Sequence, residues 1–554
     1  MKLATARIRT VMNRQSIHFV LILQLLGCLH LMSISALSLA STLDADEIKQ
    51  LLSSPSSLAF KKSAEEDLQR LYAARDYQPI WFTAEPDSPR IELALGFIAD
   101  AEAEGLDSRD YQLQHLRQLQ QPSQQSVSAA AELELRTTHA LMTLAGDLAH
   151  GRFVAAAADP DWHIQQPAFD AVSFLDEAIK NNRLEQAFST LPPQSAGYQR
   201  LKQTLSRYRN LSDKQADWVR IPDTPLIRPN STHTVIPLIR QRMAQVHAVE
   251  DIAAYKLPRS NSQQYDTPLV NAIKAFQIQH GLNPDGVIGE HTLNALNTPL
   301  AWKIRQLRIN MERLRWLPRN LGTRYLLVNT AGFRLTAMQE NEPVLSMRII
   351  VGRDYRSTPS FNSALTHLIM NPYWNVPASI ARKDLLPKQQ RDPGFFSSSN
   401  IKVYPAQRHD AKPLDPATIN WNAIKQGFPY VLRQDPGDHN ALGKIKFMLP
   451  NPFNIYLHDT PSKSLFQKDV RTFSSGCIRL EKPLDLAAFT LGETSLPTEF
   501  ITQLDSGKTI TKHLPRQLPV YLVYITAWTD EQETVHFSTD IYGRDSRALR
   551  YAGW

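Results

Sequence analysis

At 554 residues the chain is longer than one hydrophobic core usually serves, so more than one domain is expected. Its 42% apolar and 21% charged residues are those of an ordinary soluble globular protein. The net charge of +7 favours polyanionic surroundings, yet no Lys/Arg run with interleaved aromatics stands out, which argues against nucleic acid as a partner.

Residues 1–40 read as a targeting segment. Lys2, Arg7, Arg9 and Arg14 form a basic start, Phe19 to Leu39 is mostly apolar, and Ser38-Leu39-Ala40 offers small residues for cleavage before Ser41. The apolar run is long for a signal peptide, so an uncleaved membrane anchor is the competing reading. Leu25-Leu26-Gly27-Cys28 has the outline of a lipoprotein box, but the apolar residues after Cys28 speak against lipidation. With cleavage the mature chain keeps one cysteine, Cys477, in an oxidising compartment where it has no intramolecular partner. A lone exported thiol is a liability unless it is used.

Residues 43–230 read as a helical domain, with apolar residues at helical spacing in Ile91, Leu95 and Ile98 and in Leu133, Leu141, Leu144 and Leu148. No acid pair, Cys/His cluster or phosphate loop rises above background there, and Tyr72, Tyr77 and Trp81 read as core. In residues 233–300, Thr267 is expected to cap a helix with Pro268 at its first position, and Gly281 to follow its end. Leu269, Ile273 and Phe276 line one face. A tight turn at Asn283-Pro284-Asp285-Gly286-Val287-Ile288-Gly289 leads to a second short helix carrying Thr292, Leu293 and Leu296. Residues 301–318 form a basic linking helix whose Arg305, Arg308, Arg313 and Arg315 read as a solvated face.

Beyond Pro318 the period falls from 3.6 to 2. Strands are expected at 325–329, 333–337, 344–351, 365–371, 445–449, 454–458 and 520–527, in an antiparallel sandwich or barrel-like sheet over residues 322–545. Residues 375–445 interrupt it with a long insertion poor in strand patterning, and a connection this long is usually functional. Trp374, at its entry, faces either the cleft or the core.

The chemistry concentrates in Ser474-Ser475-Gly476-Cys477-Ile478-Arg479, with His458 upstream at the end of Phe453-Asn454-Ile455-Tyr456-Leu457-His458. A thiolate nucleophile needs a base and dipoles that hold negative charge, and the Gly before the Cys lets backbone approach a carbonyl. On spacing alone an inert buried cysteine is the commoner outcome. Polar Ser-Ser-Gly before it and Arg479 after it are poor company for a core cysteine. A cysteine phosphatase would want an Arg six positions on, where Pro483 stands.

His458-Asp459-Thr460 followed by Ser474-Ser475-Gly476-Cys477-Ile478-Arg479 resembles the signature of the L,D-transpeptidase family with a YkuD-type catalytic domain. Asp459 and Ser475 stand where many smaller members carry Gly and His or Arg, which looks like the large multi-domain branch and leaves open what orients the imidazole. Phe276-Gln277, Gly281-Leu282, Asp285-Gly286-Val287-Ile288-Gly289 and Thr292-Leu293 resemble the peptidoglycan-binding domain family. The resemblance implies a multi-domain α+β chain: an N-terminal helical scaffold, a small three-helix peptidoglycan-binding module, and a C-terminal β-sandwich catalytic domain with residues 375–445 as a capping subdomain. It implies a periplasmic enzyme of cell wall biogenesis and cell shape, working on peptidoglycan without cofactor or metal, with the membrane as a further partner through the N-terminal segment. His458 would take the proton of Cys477, the thiolate would attack a tetrapeptide stem with loss of D-Ala, and a diamino-acid amine would resolve the thioester into a 3→3 cross-link. Gly476, Tyr456, Ser474, Ser475 and Trp374 would serve the oxyanion or substrate, and Arg479 would hold a stem carboxylate or brace the loop. The rival readings are a non-catalytic peptidoglycan-binding scaffold and a cysteine peptidase or carboxypeptidase acting on the same stems.

Overall fold

The computed structural model describes residues 43–53, 58–82, 90–121, 126–213, 218–250, 252–406, 412–530, 532 and 534–554. The targeting segment expected at residues 1–40 lies outside them. Among the described residues no helix is long and apolar enough to cross a membrane. Two compact units divide the chain, one of residues up to Arg152 with Ala168–Gln194, the other of Phe153–Pro167 with Ser195–Trp554.

The first unit is helical. Its longest helix, α1 (Val127–His150), starts at Ser126, whose hydroxyl takes the Ala129 N–H, and buries Leu133, Leu141, Leu144 and Leu148. Glu134 is fully buried among these and accepts from the Tyr72 hydroxyl (2.7 Å) and from the Ile80 (2.5 Å) and Trp81 (3.0 Å) N–H groups. Burial pushes its carboxyl up to about 7. Tyr72 and Trp81 are core residues, while Tyr77 is half-buried.

In the second unit, α2 (Ala196–Asp213) buries Tyr198, Leu201, Leu205 and Tyr208 in one cluster with Leu307, Met311, Val535 and Phe537, so this helix packs with the C-terminal part of the chain. Three helices follow: α3 (Ile236–Glu250), α4 (Thr267–Gln279) and α5 (Glu290–Leu296), around Ile239, Met243, Leu269, Ile273, Phe276 and Leu296. Asp266, not Thr267, caps α4: its carboxylate takes the Leu269 N–H at 3.2 Å, and Thr267 is already helical. A charged acceptor at the positive helix end outcompetes the neighbouring hydroxyl. The Asp285–Gly289 turn is built around buried Gln277. Its amide donates to Asp285 Oδ1, the Val287 carbonyl and Thr292 Oγ1, and its carbonyl takes the Gly286 N–H at 2.8 Å. Most of that motif therefore holds the fold together.

The linking helix α6 (Leu300–Arg315) departs from the solvated face expected of it. Arg313 and Arg315 are fully buried, paired with Asp545 and with Glu312 (2.7 Å) respectively. The neutralising Asp545 lies 232 residues further on, beyond the reach of local pattern.

Among the described residues fourteen strands follow: β1 (Arg324–Asn329), β2 (Arg334–Gln339), β3 (Glu342–Gly352), β4 (Phe361–Met370), β5 (Trp374–Asn375), β6 (Ile401–Pro405), β7 (Tyr430–Gln434), β8 (Ile445–Met448), β9 (Leu457–His458), β10 (Thr472–Ser474), β11 (Ile478–Leu480), β12 (Ile510–Val523), β13 (Ala527–Thr529) and β14 (Val535–Phe537). Nine of them form one sheet in the order β10-β3-β11-β9-β8-β4-β12-β1-β2, and β2 pairs again with β3, which closes the sheet on itself. The pairs β1–β12, β3–β10 and β9–β11 are parallel, so the sheet is mixed rather than antiparallel. Long connections make those crossovers available. Leu326, Val328, Ile349, Leu365, Phe447, Leu457, Ile478 and Val520 fill its core. The chain is thus a multi-domain α+β protein with helices first and a β-rich domain last.

The insertion has more strand than its sequence pattern suggests. β5, β7 and β6 make a three-stranded antiparallel sheet with its own core of Val376, Leu385, Leu386, Phe396, Val403, Trp421 and Leu432. These strands are two to five residues long, too short for alternation to register.

Candidate active site

Three short strands build the site. β8 pairs antiparallel with β9, setting Lys446 opposite His458, and β9 pairs parallel with β11, setting His458 beside Arg479. Side chains two apart on a strand share a face. Lys446, His458 and Arg479 therefore form one row, with Tyr456 and Cys477 one step along the same face, while Ile445, Phe447, Leu457, Ile478 and Leu480 fill the core behind.

The strand expected over 454–458 shortens to Leu457–His458. Asn451 folds the preceding stretch into a turn by accepting the Phe453 and Ile455 N–H groups, and Asn454 takes a positive φ of 55°. This turn brings the Asn454 carbonyl to 3.7 Å from Cys477 Sγ.

His458 is buried, and its Nδ1 lies 2.5 Å from the backbone carbonyl of Asp459. A carbonyl only accepts, so Nδ1 carries the hydrogen and Nε2 the free lone pair. Burial, helped by the Arg479 cation, holds the imidazole down at about 3 against the opposing pull of the Asp459 carbonyl. The ring is neutral at ordinary pH. The Asp459 carboxylate itself is turned elsewhere, to the Lys444 N–H (2.9 Å) and Lys463 Nζ (2.6 Å).

Cys477 is half-buried and is in no disulfide among the described residues. Burial pushes its thiol up, opposed by the neighbouring Tyr456 and then by the Lys446 and Arg479 cations. Burial, then the cysteine charge, raises the Tyr456 phenol while the Trp374 indole lowers it, so its hydroxyl lies near both groups. An indole only donates, so the phenolic hydrogen stays available to the sulfur. Trp374 thus stands beside Tyr456 at the edge of the site. Burial, then the neighbouring Arg353, lowers Arg479, whose Nε is buried without a hydrogen-bond partner.

The serines shape the loop. Ser474 Oγ takes the Gly476 N–H at 3.0 Å and donates to the Cys477 carbonyl at 2.6 Å, and Gly476 sits at φ +117°, where a side chain is strained. Ser475 Oγ is held by Arg356 at 2.8 Å. Thr358 takes the Gly352 N–H and donates to the Gly476 carbonyl at 2.7 Å. A Cβ on Gly352 would lie 2.1 Å from the Arg356 carbonyl, so only glycine lets β3 pass beneath the cysteine loop.

Lys446, Arg356, Thr358 and Gly352 escaped the sequence reading. Lys446 alternates with Ile445 and Phe447 and so reads as an ordinary outward-facing residue. The other three carry no local signal. Among the described residues no group of three or more His, Cys, Asp or Glu could hold a metal.

Residues 323–509 match the family described as "L,D-transpeptidase catalytic domain" (YkuD), residues 252–296 that described as "Putative peptidoglycan binding domain", and residues 66–205 that described as "Scaffold domain". A Haemophilus influenzae protein named "Putative L,D-transpeptidase" is 38% identical over 242 residues, covering 44% of this chain and 48% of that protein. The chain thus spans about half the length of this curated relative. The crystal structure of an L,D-transpeptidase (residues 123–326) from Xylanimonas cellulosilytica is 13% identical and covers 55% of this chain and 99% of that one. Its TM-score of 0.18 is too low to bear on the fold.

Proposed function

We propose that this chain, which carries an L,D-transpeptidase catalytic domain and a peptidoglycan-binding module, is a peptidoglycan L,D-transpeptidase with Cys477 as nucleophile and His458 as base. The observation that carries this reading is a neutral imidazole, locked through Nδ1 with Nε2 free, on the same sheet face as the Cys477 thiol.

In the first half-reaction the Cys477 S–H proton passes to His458 Nε2 and the sulfur bonds the carbonyl carbon of the third stem residue. The tetrahedral oxyanion is held by the Cys477 N–H and the Tyr456 hydroxyl, because the Gly476 N–H is committed to Ser474. One such donor is worth about 3 kcal/mol. The C–N bond to D-Ala breaks, His458 returns the proton to the leaving amine, and a thioester remains. A diamino-acid amine of a second stem then gives a proton to His458 and attacks the thioester, forming the 3→3 amide and restoring the thiol. Water competes with that amine, and residues 375–445 supply a cover that slows it. Trp374 steadies Tyr456, Ser474 and Ser475 shape the loop, and Arg479 receives a stem carboxylate. The work belongs in the periplasm after export, with the N-terminal segment a removable signal or an anchor.

Mass spectrometry of the purified chain with disaccharide tetrapeptide, beside Cys477→Ala, tests the reading. Loss of D-Ala with a cross-linked dimer, absent in the folded variant, is the expected result. Turnover surviving in Cys477→Ala would sink the assignment, and D-Ala release without a dimer would make the protein a carboxypeptidase.

A further inference from the structure

The row of side chains on β8, β9 and β11 contains one charge that the steps above leave unused. Lys446 is half-buried, and its Nζ sits 3.9 Å from the centroid of the Tyr456 ring. Among the described residues no carboxylate pairs with it, for the Asp459 carboxylate is bound to Lys463 and the Lys444 N–H, and Asp384 to Arg356. An ammonium taken partly out of water without a counter-ion is costly, and such a cost persists where an anion appears during function. The anion nearest at hand is the one formed at Cys477.

We propose that Lys446 is a positioning residue for this reaction: its ammonium, seated on the Tyr456 ring, fixes that phenol against the sulfur and is the counter-charge to the anion formed at Cys477, first as thiolate and then as oxyanion. The inference rests on Cys477 being the nucleophile. A cation on the face of a phenol also draws electron density from the ring and makes its hydroxyl a stronger donor. Burial lowers Lys446 while the cysteine charge raises it, and Lys446 in turn lowers Cys477, so the two groups sense each other. The other titratable groups facing the pair are His458 and Tyr456 beside β9, Arg479 on β11 and His367 on β4; the last is lowered by burial, by His513 and by Lys446 itself.

The test is the pH dependence of iodoacetamide alkylation at Cys477, read on the Cys477 peptide in the wild-type chain, Lys446→Met and Lys446→Arg. An opposite charge within about 4–6 Å lowers a pKa by about one unit or more. The midpoint should therefore rise by about one pH unit in Lys446→Met, with about tenfold slower alkylation at pH 7, and stay near the wild-type value in Lys446→Arg. An unchanged midpoint in folded Lys446→Met overturns the proposal. If that variant does not fold, Lys446→Gln gives the same reading, and failure of both to fold would make Lys446 a structural residue and equally overturn it. Alkylation needs no turnover, so a chain that released no D-Ala would defeat the proposed reaction while leaving this measurement intact.

Discussion

At the scale of single residues, the unusual feature is a histidine oriented by its own neighbour's carbonyl. Because the Asp459 backbone and not its carboxylate receives Nδ1–H, Asp459→Asn should keep the imidazole in place and D-Ala release within about tenfold of wild type. His458→Ala should lose nearly all of it. A loss in Asp459→Asn as deep as in His458→Ala would mean that the carboxylate, not the carbonyl, holds the ring. The same environment sets the pH dependence. His458 is held at about 3 in the fold and lies near 6.5 unfolded, so the stability tied to its neutral form is complete above about 6.5 and drains away as pH falls towards 3. kcat/KM should accordingly show no acid limb near 6.5, and the wild-type melting temperature should fall more steeply than that of His458→Gln between pH 7 and 4. Much of this site was legible: Tyr456 and His458, then Cys477 and Arg479, are pairs two apart, and period 2 puts each pair on one face. What joined the pairs was not legible, because strand register is a matter of tertiary contact. For the same reason nothing in the sequence singles out Lys446.

At the scale of elements, Arg356 couples three pieces of chain. Its guanidinium bonds Ser475 of the cysteine loop and, at 2.5 Å, Asp384 of the insertion, and it follows β3 in the turn above Gly352. Asp384 lies in Ala381–Leu385, a π-helical stretch between α-helical turns, and such stretches recur at functional sites. Cutting this tie should loosen the cover without unmaking the thiol. Asp384→Asn is expected to lower the ratio of cross-linked to hydrolysed product several-fold and to speed hydrogen exchange over residues 378–391, while Cys477 alkylation stays at its wild-type rate. Unchanged exchange and product ratio would show the ion pair to be incidental, as many partly exposed pairs are. The insertion was visible in the sequence as sheer length between strands. Its sheet was hidden because β5, β6 and β7 are short, and the Arg356–Asp384 tie because its partners lie 28 residues apart with no motif around either.

At the scale of the whole molecule, local pattern gave the order of a helical domain, a small helical module and a β-rich region, while the ties that close the second unit span far longer distances. Gln279 donates to the Val535 carbonyl 256 residues away, Arg544 pairs with Asp159 at 2.6 Å, and the Tyr542 hydroxyl donates to the Gly352 carbonyl beneath the cysteine loop. None of these leaves a trace in periodicity. They bear directly on where the β-rich domain ends. The family match stops at residue 509, but β12 begins at Ile510 and runs between β4 and β1 in the closed sheet. Leu518, Val520, Leu522 and Val523 are buried there, and each such side chain contributes about 1.5–3 kcal/mol. Their sum approaches the entire stability of an ordinary domain, about 5–15 kcal/mol, before the β4 and β1 ladders are counted. A chain from Leu43 to Thr509 should therefore lose the cooperative melting of its β-rich part and expose Cys477 to fast alkylation with the midpoint of a free thiol, about 8.5. The chain from Leu43 to Trp554 should keep both a sharp transition and the raised midpoint of the buried thiol. A cooperative melt and native-like Cys477 titration in the shorter chain would show that the sheet can close without β12, against the topology that places it at the centre.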